Sequence, residues 1–274
     1  MKLEENILKE SLRNIKNNNY LFQDDDNYFI LSLEMLENIG SLDSELRDEL
    51  IYGVLYHWIS RGVFNSNELN ELLNISLGSS NIIHKLRDKD EDAVFKRAFS
   101  VLIVALILNE HRKENFLSDE VLFEVKDRLI EYMINEEDVR GYVKGKGWAH
   151  SAAHTADALN ELAQCDCLNK EDLLDILNTI KAKVCIGYYV YVDEESERMV
   201  TVVENIIGRK IISNIEMVNW LRSFIFKNKD LDYMDRFHLK VNVKEFLRSL
   251  YFRLLENNGS NFIIEEIRKI LNKL

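Results

Sequence analysis

Two histidines and two carboxylates recur at helical spacing near the middle of the chain. At about 100° per residue they fall within an arc of roughly 60° on one face of a helix predicted over 148–164: His150, His154, Asp157 and Glu161. Histidines at positions i and i+4 direct their ring nitrogens toward one point, as in helical zinc sites. We therefore predict a site for a divalent metal such as zinc, held by His150, His154 and Asp157, with Glu161 orienting a ligand.

The same pattern has two other interpretations. No His-Glu-x-x-His motif is present, and one helix rarely closes a metal site, so a further ligand must come from another helix. A hydrogen-bonded structural network is the most conservative explanation, and a surface that binds an unknown protein or small-molecule ligand is the other. We predict that such a surface comprises these residues: Arg140, Trp148, His150, His154, Asp157 and Glu161. A binding scaffold is the leading functional hypothesis, and a metal-dependent hydrolase with a metal-bound water as nucleophile is the alternative.

A glycine-rich loop over 135–149 precedes this helix and must position it. Three of the chain's ten glycines, Gly141, Gly145 and Gly147, fall within seven residues there. Glycine adopts backbone conformations that other residues avoid, and functional groups often lie on such irregular segments. The loop and the polar stripe therefore point to one place in the molecule.

The loop and the following helix also carry a specific motif. It reads Asp-x-Arg-Gly-Tyr over 138–142 and Lys-Gly-Trp-Ala-His-x-x-x-His-x-x-Asp-x-Leu over 146–159. This motif resembles the central motif of a bacterial family of proteins of unknown function, domain-of-unknown-function family 2785. Phe-Leu-Arg-Ser-Leu-Tyr-Phe over 246–252 is similar to the family's C-terminal motif. The resemblance would cover nearly the whole chain. It implies a soluble, all-helical, cytoplasmic protein, and it implies no activity.

The spacing of apolar residues predicts an all-α fold. Apolar side chains recur at three- and four-residue intervals almost everywhere, and proline, the residue that best breaks a helix, is absent from the 274 residues. The first helices of successive pairs are predicted to begin near 43, 92, 150, 195 and 242. These intervals bracket the period of HEAT and armadillo arrays, so we predict a single domain over 1–274 built as an irregular α-solenoid of helix pairs. No internal sequence similarity accompanies the spacing, and a non-repeating helical bundle is the alternative.

Charge and hydropathy restrict the class of partner. The net charge is −12, and the whole excess lies in residues 1–137, which carry 15 Lys and Arg against 27 Asp and Glu. Such a field argues against nucleic acid and anionic membranes as partners. The longest apolar run, Ala98–Leu108, spans about half of a bilayer core and predicts a buried helix. An acidic start without a signal-peptide core and an odd number of cysteines, three, lead us to expect a cytoplasmic protein.

Overall fold

The computed structural model describes residues 5–21, 28–86, 88, 92–225, 231–257 and 259–274. Helices dominate this part of the chain, and the strands described in it form one two-stranded ribbon. The predicted all-α class is therefore confirmed. Contacts between Cα atoms divide the chain into two compact units, Met1–Glu161 and Leu162–Leu274. The single domain over 1–274 and the solenoid arrangement stay predictions.

The first unit is formed by helices and one short hairpin. Its elements, in chain order, are α1 (Glu5–Asn17), α2 (Tyr28–Glu37), a π-helical segment (Glu45–Ile51) that runs directly into α3 (Tyr52–Ser60), α4 (Ser66–Leu77), α5 (Ala93–Glu114), α6 (Asp119–Asn135), β1 (Tyr142–Val143), β2 (Gly147–Trp148) and most of α7 (Ser151–Ala163).

Helix α5 forms the centre of the first unit, where it packs against α3 and α4. Every residue from Ala98 to Leu108 is buried except Leu106, which is half-buried, so the prediction of a buried helix is confirmed. A helix that is apolar on all sides must be surrounded by other elements, because packing against one face alone would leave its other apolar faces in water. Among the described residues, no helix combines the length and the apolar character that crossing a membrane requires.

Five more helices are described in the second unit. These are α8 (Lys170–Val184), α9 (Glu195–Arg209), α10 (Asn214–Arg222), α11 (Tyr233–Glu256) and α12 (Asn261–Leu271). Helix α9 packs against α8 and α11, and α12 packs against α10 and α11. In the core the rings of Phe224 and Phe246 stack at a centroid distance of 5.6 Å. The Trp220 ring nitrogen donates to the Leu177 carbonyl oxygen at 3.1 Å.

A buried asparagine on α11 fixes the irregular segment between α8 and α9. The side-chain amide of Asn242 donates to the carbonyl oxygens of Ile186 and Tyr189 at 3.0 and 2.9 Å, and its oxygen accepts from the Tyr191 N–H at 3.1 Å. Asn242 is only 1% exposed. One side chain therefore satisfies three backbone groups that have no helical partner, as buried polar backbone requires.

The predicted helix starts agree with the structure at four of five positions. The predicted starts near 43, 92, 150 and 195 correspond to observed starts at Glu45, Ala93, Ser151 and Glu195. The start predicted near 242 is wrong, because α11 begins at Tyr233. The first turns of α11 carry exposed aromatic and thioether side chains. The pattern that predicts a helix, apolar residues at three- and four-residue intervals along one buried face, is therefore missing there. The side chain of Asp232 caps this start by accepting from the Asp235 N–H at 2.9 Å.

Candidate functional site

The glycine-rich loop folds into a tight antiparallel hairpin, which we call the glycine hairpin (residues 138–148). Tyr142 pairs with Trp148 and Val143 with Gly147, and the Lys146 N–H donates to the Val143 carbonyl oxygen at 2.9 Å across the turn. Gly145 and Gly147 both have φ of +82°. This left-handed region is open to glycine and strained for other residues, so two of the three loop glycines are required by the backbone itself.

Gly147 is also required by a close approach to the π-helical segment. A Cβ atom built on Gly147 would lie 2.6 Å from the Ser44 Cβ, 2.7 Å from Asp48 Oδ2 and 2.9 Å from Arg47 Nη2. No real Cβ tolerates such distances. The hairpin backbone therefore rests directly on the start of the π-helical segment, and π-helical turns occur frequently at functional sites.

Arg47 holds the hairpin from beneath. Its side chain is fully buried, and it donates to the carbonyl oxygens of Ser41 and Lys146, each at 2.6 Å. The guanidinium carbon lies 4.4 Å from the ring centroid of Phe95 and 4.8 Å from that of Phe99. Burial lowers the pKa of Arg47 from its ordinary value. These carbonyl and ring contacts replace part of the water that a buried cation loses, while Nε has no hydrogen-bond partner among the described residues.

Asp48 is the carboxylate partner of this cation. Its Oδ1 lies 2.7 Å from Arg47 Nη2, and its Oδ2 accepts from the Trp148 N–H at 3.4 Å. Burial raises the pKa of Asp48 to about 6, even though the neighbouring Arg47 charge acts in the opposite direction. Desolvation disfavours the ionised carboxylate, and this effect exceeds the attraction of the cation here. Both ends of strand β2 are thus fixed by charged groups of the π-helical segment.

A second set of charged residues holds the segment that leads into strand β1. Both side-chain oxygens of Asp138 accept from Arg140, at 2.8 and 2.6 Å, and the Ser151 hydroxyl donates to the Asp138 carbonyl oxygen at 2.5 Å. The Asp138 N–H donates to Glu136, which forms a buried two-bond ion pair with Arg97 at 2.6 and 2.8 Å. Arg140, predicted as part of the binding surface, therefore orients the hairpin through Asp138.

His150 lies outside the helix that was predicted to contain it. Its φ is +47°, its N–H donates to the Arg140 carbonyl oxygen at 2.9 Å, and α7 begins one residue later at Ser151. The predicted range of 148–164 begins three residues too early, because the backbone of Gly147 and Trp148 forms strand β2. The imidazole stacks on the Trp148 indole at a centroid distance of 4.3 Å and an interplanar angle of 25°.

His154 and Asp157 lie within α7 as predicted. His154 is buried, with its ring edge-on to Phe99 at 5.2 Å and to His150 at 5.7 Å, and Asp157 follows one turn later and is half-buried. The donor atoms of His150, His154 and Asp157 do not all lie within 4.8 Å of one another. An ion shared by all three would require side-chain rotations, so this metal site stays a prediction.

Glu161 occupies a different environment from the histidines. Its Oε2 accepts from Arg112 Nη1 at 2.5 Å and from Asn109 Nδ2 at 3.1 Å, both on α5. It follows His154 by seven residues in α7, about 10 Å along the helix at 1.5 Å per residue. The predicted polar stripe therefore divides into an aromatic end at the hairpin and an ion-paired end on α5.

The hairpin presents two aromatic side chains to solvent. Tyr142 is 56% exposed and Trp148 is 39% exposed, and their rings meet edge to face at 5.1 Å. Lys144 at the turn is exposed, while Lys146 pairs with Asp92 at 2.6 Å. Large apolar rings held on a rigid backbone are typical of the anchor residues of binding surfaces.

Sequence reasoning identified Trp148 and missed the residues that support it. Arg47 and Asp48 lie about 100 positions earlier in the chain and belong to a helix whose sequence shows only amphipathic spacing. The one local signal was Gly147, since a glycine can indicate a close backbone approach. Nothing in the sequence names the partner of that approach. Tyr142 could have been found as the residue that faces Trp148 across a short hairpin.

The fold and the site together define a helical protein in which buried charges hold an aromatic hairpin against α-helices. A family model described as "Protein of unknown function (DUF2785)" matches residues 82–252, and the chain belongs to this family. The predicted resemblance is confirmed, over a shorter range than nearly the whole chain: the match includes the hairpin and α7, whereas Arg47 and Asp48 precede it. No curated protein and no solved structure matches the chain.

Proposed function

We propose that the protein is a binding scaffold whose glycine hairpin captures a partner protein or small-molecule ligand. The observation that carries the proposal is the exposure of Tyr142 and Trp148 on a backbone that buried charges hold in place. Exposed apolar rings contribute most when they need not be ordered on binding, because ordering entropy is subtracted from affinity. The helical-repeat architecture and a cytoplasmic location, expected from the sequence, are part of this proposal.

The charges around the hairpin favour a ligand with an acidic group beside an apolar or aromatic one. Lys144 is exposed at the turn and makes no ion pair in the described ranges of the chain. The rest of the first unit is strongly acidic, since residues 1–137 carry an excess of 12 acidic groups. This excess repels polyanions such as nucleic acid at long range, while a compact ligand at the hairpin meets the local cation.

Site-specific photocrosslinking tests the proposal. A photoreactive phenylalanine derivative is placed at position 142, and at position 262 as a control, because the aromatic side chain of Phe262 on α12 is 55% exposed, close to the 56% of Tyr142. We expect a species that crosslinks from position 142 and not from 262, and that is lost in Trp148→Ala. Native mass spectrometry of the same variants detects a small ligand. Equal crosslinking from both positions, or a product unaffected by Trp148→Ala, would refute the proposal.

A metal-dependent hydrolase is the second candidate. One observation favours it: the rings of His150 and His154 lie 5.7 Å apart and nearly perpendicular, at 83°, so a small rotation could direct one nitrogen of each toward a common ion. Asp157 would be the third ligand, and a metal-bound water would supply the nucleophile. Elemental analysis of the protein and its histidine variants tests this candidate.

A further inference from the structure

A cavity in the second unit lies apart from the hairpin. Its volume is about 820 Å³, and it is bounded by the C-terminal ends of α9 and α11 and by the N-terminal ends of α10 and α12. This volume is within the range of sites for small organic ligands, roughly 300–1,000 Å³.

The inner wall of the cavity is apolar. It is formed by aliphatic and thioether side chains contributed by all four helices and the loop between α9 and α10: Ile207, Ile212, Met217, Leu254 and Ile263. Four of these five side chains are at most 6% exposed, so an alkyl chain against this wall gains mainly by covering its own surface, and the wall offers it no hydrogen bond. Burial of an alkyl chain against it is favoured in proportion to the apolar area removed from water.

The rim of the cavity is polar, and among the residues that the structure describes it carries one cation without an ion pair. The one carboxylate among the lining residues, Glu204, already accepts from Arg253 and from the Asn257 amide. Lys210 is exposed at the rim and makes no ion pair with any residue that the structure describes. A single negative charge would therefore find a partner there, whereas a positive one would not.

We propose that this cavity binds a medium-chain aliphatic carboxylate. The alkyl chain packs against the apolar wall, and the carboxylate lies at the rim beside Lys210. One lysine matches one negative charge, so a dianionic phosphate ester would leave a charge unmatched in a chain of net charge −12. The proposal does not depend on the hairpin, since every lining residue belongs to the second unit.

Two lining positions allow substitutions that spare the fold. A Cβ built on Gly208 in α9 meets no atom within 4 Å, so a larger side chain there enters open space at the cavity. Gly208→Ala also favours the helix, because alanine has the higher helix propensity. Lys210 has φ of +58°, a conformation that asparagine tolerates well. Lys210→Asn therefore removes the charge and suits the backbone.

Isothermal titration calorimetry with decanoate, N-methyldecanamide and acetate tests the proposal. We expect saturable one-to-one binding of decanoate, weaker binding of the neutral amide and none of acetate. Lys210→Asn should weaken decanoate binding roughly fivefold, as expected for an exposed ion pair, and leave the amide unchanged. Gly208→Trp should abolish binding of both, while Gly208→Ala retains it, with helix content checked by circular dichroism. Absence of saturable decanoate binding, or binding that survives Gly208→Trp in the folded protein, would overturn the proposal.

Discussion

Replacing Gly147 by alanine should detach the glycine hairpin from the π-helical segment. The backbone at φ +82° disfavours any side chain, at a cost of about 1–2 kcal/mol for an L-residue in the left-handed region. The new Cβ would also lie within 3 Å of Ser44, Asp48 and Arg47, so the strand must move away. Movement breaks the bond from Arg47 to the Lys146 carbonyl oxygen, and a buried polar group that loses its partner costs about 1–3 kcal/mol. We therefore expect a loss of about 2–5 kcal/mol in the free energy of unfolding.

Gly145→Ala is the matched control for this experiment. Gly145 has the same φ of +82°, but a Cβ built on it meets no atom within 4 Å. Only the backbone term remains, about 1–2 kcal/mol. Urea denaturation followed by circular dichroism measures both variants, and the difference between them isolates the contact with the π-helical segment. Ser44→Gly combined with Gly147→Ala should recover part of the loss, since it removes the nearest atom. Equal losses in the two alanine variants would refute this account of how the hairpin is held.

Three further predictions concern other groups. Because burial raises the folded-state pKa of Asp48 to about 6, above its ordinary value of 3.8, the stability that the protonated carboxyl contributes is present at low pH and is lost as the pH rises through that interval. Asp48→Asn should therefore remove up to about 2 kcal/mol of the decrease in the free energy of unfolding between pH 4.5 and pH 7. Urea denaturation at both pH values measures this decrease, and a pH profile that is unchanged in the variant would contradict the assignment. Asn242→Leu should lower the free energy of unfolding by about 2–4 kcal/mol in the same assay, because it removes three hydrogen bonds of buried backbone groups. A loss below about 1 kcal/mol would contradict the conclusion that Asn242 fixes the segment between α8 and α9. If the protein is a metal-dependent hydrolase, elemental analysis of the untagged protein should find near-stoichiometric zinc, and His150→Ala and His154→Ala should lose this zinc. His57→Ala is the control and should keep the zinc, because His57 stacks on Tyr20 instead. An equal metal content in all three variants excludes the histidine site.

The helices could be predicted from sequence because their causes are local. Apolar residues at three- and four-residue intervals define a buried face whatever that face packs against, which is why the starts of the π-helical segment, α5, α7 and α9 were found within two residues. The buried character of α5 follows in the same way from its uninterrupted apolar run. The start of α11 could not be predicted in this way, because the apolar side chains of its first turns are exposed and do not form a buried face.

The geometry of the site depended on contacts distant in sequence. Periodicity placed His150 on one helix face with Glu161, but the hairpin sets His150 at φ +47° outside the helix, and α5 takes Glu161 into an ion pair with Arg112. The cation that supports the hairpin, Arg47, comes from a helix about 100 residues earlier. A sequence pattern records which residues share an element, and the identity of the side chains that meet across elements is decided only when those elements pack. The sequence by itself therefore determined the helices and the place of the candidate site, and the tertiary structure decided which groups hold it and which face solvent.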